Sequence, residues 1–315
     1  MNCLCCGKPI VSDSVSGWHK SCIKHFFGTT DIPDISISNE KILQFVNENV
    51  EKGLTVPGVQ KKLSFRLYSE RNKKRLTIVN YPTGYILKPQ VDNYRALPES
   101  EQLVMCMADV CGIATVPHAL LYSGESYVYI TKRIDRLFLK EKVSLLAMED
   151  FCQLDLRQTR DKYKGSYECC AKIVRRYSCK KMFDETELFM RLIFCYVVGN
   201  SDMHLKNFSL LETGEGSGEY SLSPAYDLLP VNVIMPEDRE ELALTINGKK
   251  NNIHKKDFLE FAFSCDISRN AAEKMISSIV SKKEQLISMC KESLLPSDMK
   301  ISLEELIEKR CEMLS

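Results

Sequence analysis

A strongly apolar stretch ends at Val198 in a polar loop, Gly-Asn-Ser-Asp-Met-His-Leu-Lys-Asn-Phe208, that carries Asp202, His204, Lys206 and Asn207. Asp202 and Asn207 stand in the D-x-x-x-x-N spacing that suits phosphoryl transfer, where the Asp accepts the proton of an acceptor hydroxyl and the Asn oxygen binds a metal. The same spacing also fits two Asx residues that merely cap a turn. A second acid, Asp227, follows in Pro224-Ala-Tyr-Asp. Together Asn207 and Asp227 offer the amide and carboxylate oxygens that a hard cation such as Mg²⁺ prefers. Upstream, Lys88 closes the apolar run Tyr85-Ile-Leu-Lys, and Glu99 or Glu101 opens the next helix. A Lys–Glu pair of that kind orients nucleotide phosphates.

A phosphate-binding loop is the remaining part. Gly53 and Gly58 stand at the Walker A interval, but Val59 sits where that motif needs Lys, so a P-loop NTPase is excluded. Gly58, Val59, Gln60, Lys61 and Lys62 still bring backbone N–H groups and positive charge to one turn, which suits phosphate.

These residues need elements behind them. Ser38 or Asn39 caps an expected helix with Ile42, Leu43, Val46 and Val50 on one face. From Lys61 to Pro89 the period changes to two, with Leu63, Phe65 and Leu67 alternating against polar residues, and three short strands are expected. Pro98-Glu99 opens a helix that Gly112 stops, and Ala119–Tyr122 with Tyr127–Thr131 reads as a hairpin. Beyond Arg136 the chain is expected to be mostly helical, with Glu185 to Val198 its clearest helix and a second hairpin at Phe208–Leu211 and Tyr220–Leu222. Near the end, Ala272, Ile276, Ile279, Leu286 and Cys290 form an apolar stripe. A strand-rich half followed by a helix-rich half gives an α+β fold with two lobes. The expected boundaries are a Cys/His module over 1–30, an N-lobe over 31–135 and a helical C-lobe over 136–315.

In the first module Cys3-x2-Cys6 is followed after twelve residues by His19-x2-Cys22, the spacing of a structural zinc knuckle or ribbon. Cys5 and His25 are spare ligands nearby. The other cysteines, among them Cys106, Cys111, Cys195 and Cys290, fall mainly in helical segments and read as small buried hydrophobes.

Composition narrows the function classes. The 315 residues carry a net charge of +1, with 44% hydrophobic and 27% charged residues, which disfavours autonomous nucleic-acid binding. No apolar h-region follows Met1 and no apolar run approaches the ~20 residues of a membrane span, so reduced thiols and a cytoplasmic protein without membrane contact are expected. A kinase-like but non-catalytic regulatory module, and a small-molecule or lipid kinase, are the competing classes.

Six segments, Thr55-Val-Pro-Gly-Val-Gln-Lys-Lys62, Tyr85-Ile-Leu-Lys-Pro89, Leu97-Pro-Glu-Ser-Glu101, Thr131-Lys-Arg-Ile-Asp-Arg136, Gly199 to Phe208 and Ser223-Pro-Ala-Tyr-Asp-Leu228, resemble in order the HipA family of bacterial serine/threonine kinases. The resemblance runs from about Thr55 to the C-terminus. It implies a bilobal, protein-kinase-like fold and the use of ATP and Mg²⁺. It makes Asp202 the general base and Asn207 and Asp227 the metal ligands. Lys88 then contacts the phosphates with Glu101 as its partner, Gly58 to Lys62 form the nucleotide loop, and Lys132, Arg133 and Ile134 form the hinge that holds adenine. His204, Lys206 and Tyr226 line the phosphate side. Thr55 stands where family members autophosphorylate a serine. The chain has room for only about half of the longer toxins' N-terminal subdomain, so it is similar to the shorter, split-module kinases of toxin–antitoxin systems. Those imply a small separate antitoxin resembling that subdomain, a DNA-binding antitoxin, and a translation component such as an aminoacyl-tRNA synthetase as substrate.

Overall fold

The computed structural model describes residues 2–10, 14–35, 63–70, 73–77, 84–123, 126–138 and 143–315. The helix expected after Ser38, the loop Gly58 to Lys62 and Thr55 lie outside the described residues. The chain divides into two compact units, 1–106 with 116–143 and 107–115 with 144–315.

In the first unit a two-stranded hairpin, β1 (Ser14–Val15) and β2 (Trp18–His19), runs directly into helix α1 (Lys20–Phe27). The helix ends at Gly28, whose φ of 67° lets its N–H return to the Lys24 carbonyl. A six-stranded sheet follows, built from β3 (Asp34–Ile35), β4 (Leu63–Glu70), β5 (Lys73–Thr77), β6 (Tyr85–Pro89), β7 (His118–Ser123) and β8 (Ser126–Lys132). Its order is β3-β5-β4-β6-β8-β7, antiparallel except for β3 beside β5. Helix α2 (Leu97–Val110) lies between β6 and β7 in sequence, and β9 (Arg136–Phe138) follows β8. Leu87, Val128, Ile130 and Ala119 are fully buried and form the apolar centre of the sheet.

The second unit contains β10 (Val143–Leu145), β11 (Met148–Asp150) and the short helix α3 (Phe151–Leu154). Helices α4 (Tyr167–Tyr177) and α5 (Lys181–Val197) follow, then β12 (Ser209–Glu212) and β13 (Tyr220–Leu222), which join β11 in an antiparallel sheet. The chain finishes with α6 (Val231–Ile234), α7 (Lys255–Ser264), α8 (Arg269–Val280), α9 (Lys283–Glu292) and α10 (Ser297–Leu314).

Two local expectations are corrected. The stretch after Arg136 forms three strands of three residues each before helix takes over, too short for a period-two pattern to stand out. Helix α5 begins at Lys181 rather than Glu185, because its first turn exposes Met182 and Phe183 and so contributes nothing to the apolar face. From Leu188 onward the helix is walled in: Phe189, Leu192 and every residue from Ile193 to Val198 are fully buried. Each such side chain contributes about 1.5–3 kcal/mol of burial, so the end of α5 is a rigid base for the loop that follows.

Candidate functional site

In the first unit, Lys88 on β6 donates to Glu101 Oε1 at 2.5 Å, with side chains only 2% and 0% exposed. The ammonium also stands 5.2 Å from the ring centre of Tyr129, its cross-strand neighbour on β8. Residues two apart on a helix point to different sides, so only one of Glu99 and Glu101 can meet Lys88. Glu101 does. Burial pushes the Glu99 carboxyl above its usual range.

Lys132 closes β8, where its N–H donates to the Pro117 carbonyl at 2.9 Å, and the Arg133 N–H donates to Gly84 at 2.9 Å. Ile134 is half-buried beside them. Asp135, to which sequence reasoning assigned no role, locks this stretch. Arg133 forks onto it at 2.9 and 2.7 Å, and Arg136 reaches it at 2.7 Å. Burial would raise the Asp135 carboxyl, but the hydrogen bond and charge of Arg133, aided by Arg136, hold it below the usual carboxylate value.

In the second unit the loop after α5 is set by glycine. The Gly199 N–H returns to the Tyr196 carbonyl at 3.2 Å and the Asn200 N–H to Cys195 at 2.8 Å, a Schellman closure that needs the φ of 70° at Gly199. A Cβ at Gly199 would stand 2.4 Å from Leu306 Cδ2 and 3.2 Å from Asn232 Oδ1, so any other residue must displace these side chains and strain the backbone. Beyond it the loop is tied at each step. Ser201 Oγ donates to Asp238 at 2.7 Å, the Asp202 N–H to Asn200 Oδ1 at 3.3 Å, Tyr167 to the Met203 carbonyl at 3.0 Å, and the Leu205 N–H to the Lys162 carbonyl at 3.2 Å.

Asp202 keeps 35% of its side chain exposed. One of its oxygens accepts from the Tyr163 hydroxyl, and burial together with that carboxylate raises the Tyr163 phenol above its usual value. His204 Nε2 is 3.9 Å from the same oxygen, but burial lowers the imidazole to about 4 against the pull of Asp202, so it is neutral near pH 7. Asn207 Nδ2 donates to the Asp202 carbonyl at 2.8 Å. With its nitrogen engaged inside the loop, the amide leaves its oxygen as the atom for a cation, and this donor chemistry fits Mg²⁺. Lys206 pairs with Asp150 at 2.5 Å, and Asp150 also caps α3 through the Gln153 N–H at 2.9 Å.

Tyr226 shares a 2.6 Å hydrogen bond with Ser209 and donates to the Lys206 carbonyl at 3.3 Å. Asp227 follows with φ of 57°, a left-handed conformation uncommon for an aspartate. It is held there by fully buried neighbours, Ala225 and Leu228, and by the Ala225 N–H on the Ala114 carbonyl at 2.7 Å. Fully buried Arg191 on α5 donates to the Ser223 carbonyl at 3.0 Å, which fixes the approach to this segment.

The N-terminal ligands gather as well. One ligand atom from each of Cys3, Cys6, His19 and Cys22 lies within 4.8 Å of the others, while the Cys5 thiol donates to the His118 carbonyl and His25 is not among them. Tyr163, Asp150 and Asp135 are the residues that motif spacing missed.

The profile of the HipA-like C-terminal domain matches residues 54–287. A Haemophilus influenzae protein named "Putative kinase" is 26% identical over 295 residues, covering 84% of this chain and 82% of its own length. A Sinorhizobium fredii protein named "Putative kinase Y4mE" is 27% identical over 242 residues, and the match spans 74% of this chain but 56% of that protein. Among solved structures, HipA of Shewanella oneidensis MR-1, in a complex with HipB and its operator DNA, superposes with a TM-score of 0.70 at 18% identity, over 85% of this chain and 70% of that one. The Helicobacter pylori proinflammatory kinase CtkA superposes at 0.53 and 14% identity, over 78% and 90%. The fold is the α+β, kinase-like one. No helix among the described residues is long and apolar enough to cross a membrane.

Proposed function

The chain belongs to the HipA-like C-terminal domain family, and on that premise we propose that it is an ATP- and Mg²⁺-dependent serine/threonine protein kinase. One observation carries this reading. A single loop leaves the Asp202 carboxylate partly exposed while turning the nitrogen of Asn207 inward, so that one residue is free to take a proton and the other offers an oxygen. Asp202 accepts the proton of the acceptor hydroxyl as phosphoryl transfer proceeds, and the hydroxyl of Tyr163 yields its place to that acceptor. Mg²⁺ held by Asn207 and Asp227 neutralises the charge that develops on the phosphates. Lys88, fixed by Glu101, contacts the phosphates, and Gly58, Val59, Gln60, Lys61 and Lys62 supply backbone N–H groups. Lys132, Arg133 and Ile134 hold adenine. Neutral His204, Lys206 and Tyr226 line the phosphate side.

The family resemblance supports the finer parts. Thr55 is the site of autophosphorylation, the acceptor is a translation protein such as an aminoacyl-tRNA synthetase, and the partners are a small antitoxin and a DNA-binding antitoxin, as the HipB complex of the Shewanella neighbour suggests. The test is incubation with γ-labelled ATP, Mg²⁺ and a bacterial lysate, with Asp202→Asn as control, and mass spectrometry of the chain itself. Labelled protein bands that vanish with Asp202→Asn, and phosphate on Thr55, are expected. Label confined to small molecules or lipids would replace the reading by the small-molecule kinase, and no label above control by the regulatory module.

A further inference from the structure

The N-terminal Cys/His cluster contains no residue given a role in phosphate transfer, and its geometry is that of a metal site. With Zn–S near 2.3 Å and Zn–N near 2.0 Å, ligand atoms around a tetrahedral zinc stand about 3.5–3.8 Å apart. Here His19 Nδ1 is 3.4 Å from Cys6 Sγ and 3.8 Å from Cys22 Sγ. The other ring nitrogen, Nε2, is 3.2 Å from the Pro9 carbonyl, which holds the proton on Nε2 and leaves the Nδ1 lone pair facing the thiols. The His19 N–H donates to Cys3 Sγ at 3.4 Å. The Cys3 to Cys6 turn closes through the Gly7 N–H on the Cys3 carbonyl at 2.9 Å, with Gly7 at φ 68°.

What the cluster is fastened to gives it a role. The Leu120 N–H on β7 donates to the Leu4 carbonyl at 2.8 Å, and fully buried Trp18 donates to the Leu120 carbonyl at 3.0 Å. Gln102 on α2 donates to the Cys5 carbonyl at 2.8 Å, while its Oε1 meets His118 Nδ1 at 2.8 Å. Gln102 is the residue after Glu101. The backbone between the two cysteine ligands Cys3 and Cys6 is thus bonded to the helix that presents the partner of Lys88.

We propose that Cys3, Cys6, His19 and Cys22 bind one structural Zn²⁺, and that this metal braces the part of α2 that carries Glu101. Binding replaces the three thiol protons, which leave to solvent, and His19 enters neutral, so the centre carries one negative charge and no electron changes hands. All four positions are filled by protein, which leaves none for substrate.

The test uses the full chain purified under reducing conditions and does not depend on phosphate transfer, so it stands or falls apart from the kinase reading. Elemental analysis should give about one zinc per chain, and Co²⁺ exchanged into the wild-type protein should show thiolate-to-cobalt charge transfer. Cys22→Ser should lower zinc at least about fivefold, while Cys179→Ser, at an exposed cysteine, should leave it unchanged. Zinc well below one equivalent with no cobalt signature, or full zinc in Cys22→Ser, would overturn the site. Because the cobalt spectrum is read on the wild type, failure of a variant to fold does not blur the result. Chelation of the metal should speed amide exchange in 97–106 at least about tenfold and leave 188–197 unchanged; equal protection of 97–106 with and without metal would overturn the bracing.

Discussion

Lys88 and Asp202 are both charged groups at the heart of a unit, but they are held in opposite ways. The ammonium is sealed against Glu101 with almost no exposure, whereas the carboxylate keeps 35% of its side chain open and accepts from a tyrosine brought in from 39 residues away. A buried ion pair holds the ammonium in one direction and so fixes geometry. A half-open carboxylate partnered by a neutral hydroxyl can exchange that hydroxyl for another. In the proposed function that difference separates a lysine held in place from a carboxylate open to an incoming hydroxyl.

The comparison breaks hardest at Lys88. Lys88→Ala takes from the buried Glu101 carboxylate the ammonium paired with it, and urea unfolding should register a loss of about 3–5 kcal/mol. Replacing both residues with apolar ones of similar size should cost much less than the sum of the single changes, because a sealed pair contributes geometry more than net stability. On the other side, Gly199→Ala puts a side chain where φ is 70° and Leu306 is 2.4 Å away, so a loss on the order of 3 kcal/mol is expected in the same measurement, with activity falling as the loop shifts.

Tyr163→Phe sharpens the contrast more gently. It removes one hydrogen bond to a charged acceptor, so stability should drop by about 1–2 kcal/mol and phosphate transfer should survive. Loss of all activity would mean that Tyr163 does more than hold Asp202. The smallest expected effect concerns Asp135. Its carboxyl is held below 3.8 in the folded state, so the stability it contributes is present above that pH and fades as pH falls through the lowered value. Arg133→Gln should flatten this acid limb by less than about 1 kcal/mol, since the guanidinium is partly exposed.

How legible these regions were in the sequence follows from the range of their contacts. A lysine ending an apolar strand and a glutamate opening the next helix are local signals, and the glycine after the apolar run of α5 marks the Schellman turn. Tyr163 and Asp150 were not legible, because they approach the loop from 39 and 56 residues away, and no spacing rule reaches that far. Asp135 lies within the Thr131 to Arg136 segment, but its task of locking Arg133 and Arg136 appears only when the chain bends. Short strands such as β10 and β11 carry too few residues for alternation to be seen. The cysteine pairs were readable from spacing, whereas the exclusion of Cys5 required knowing that its thiol turns to His118.

In the proposed function Asp202 takes the proton of the acceptor hydroxyl while its surroundings hold it. This is tested most directly by transfer of labelled phosphate from ATP to protein, measured for wild type and Asp202→Asn alongside their unfolding curves. A fall of about 10²–10⁴-fold in transfer is expected, with unfolding stability nearly unchanged. Transfer by Asp202→Asn at the wild-type rate would contradict it.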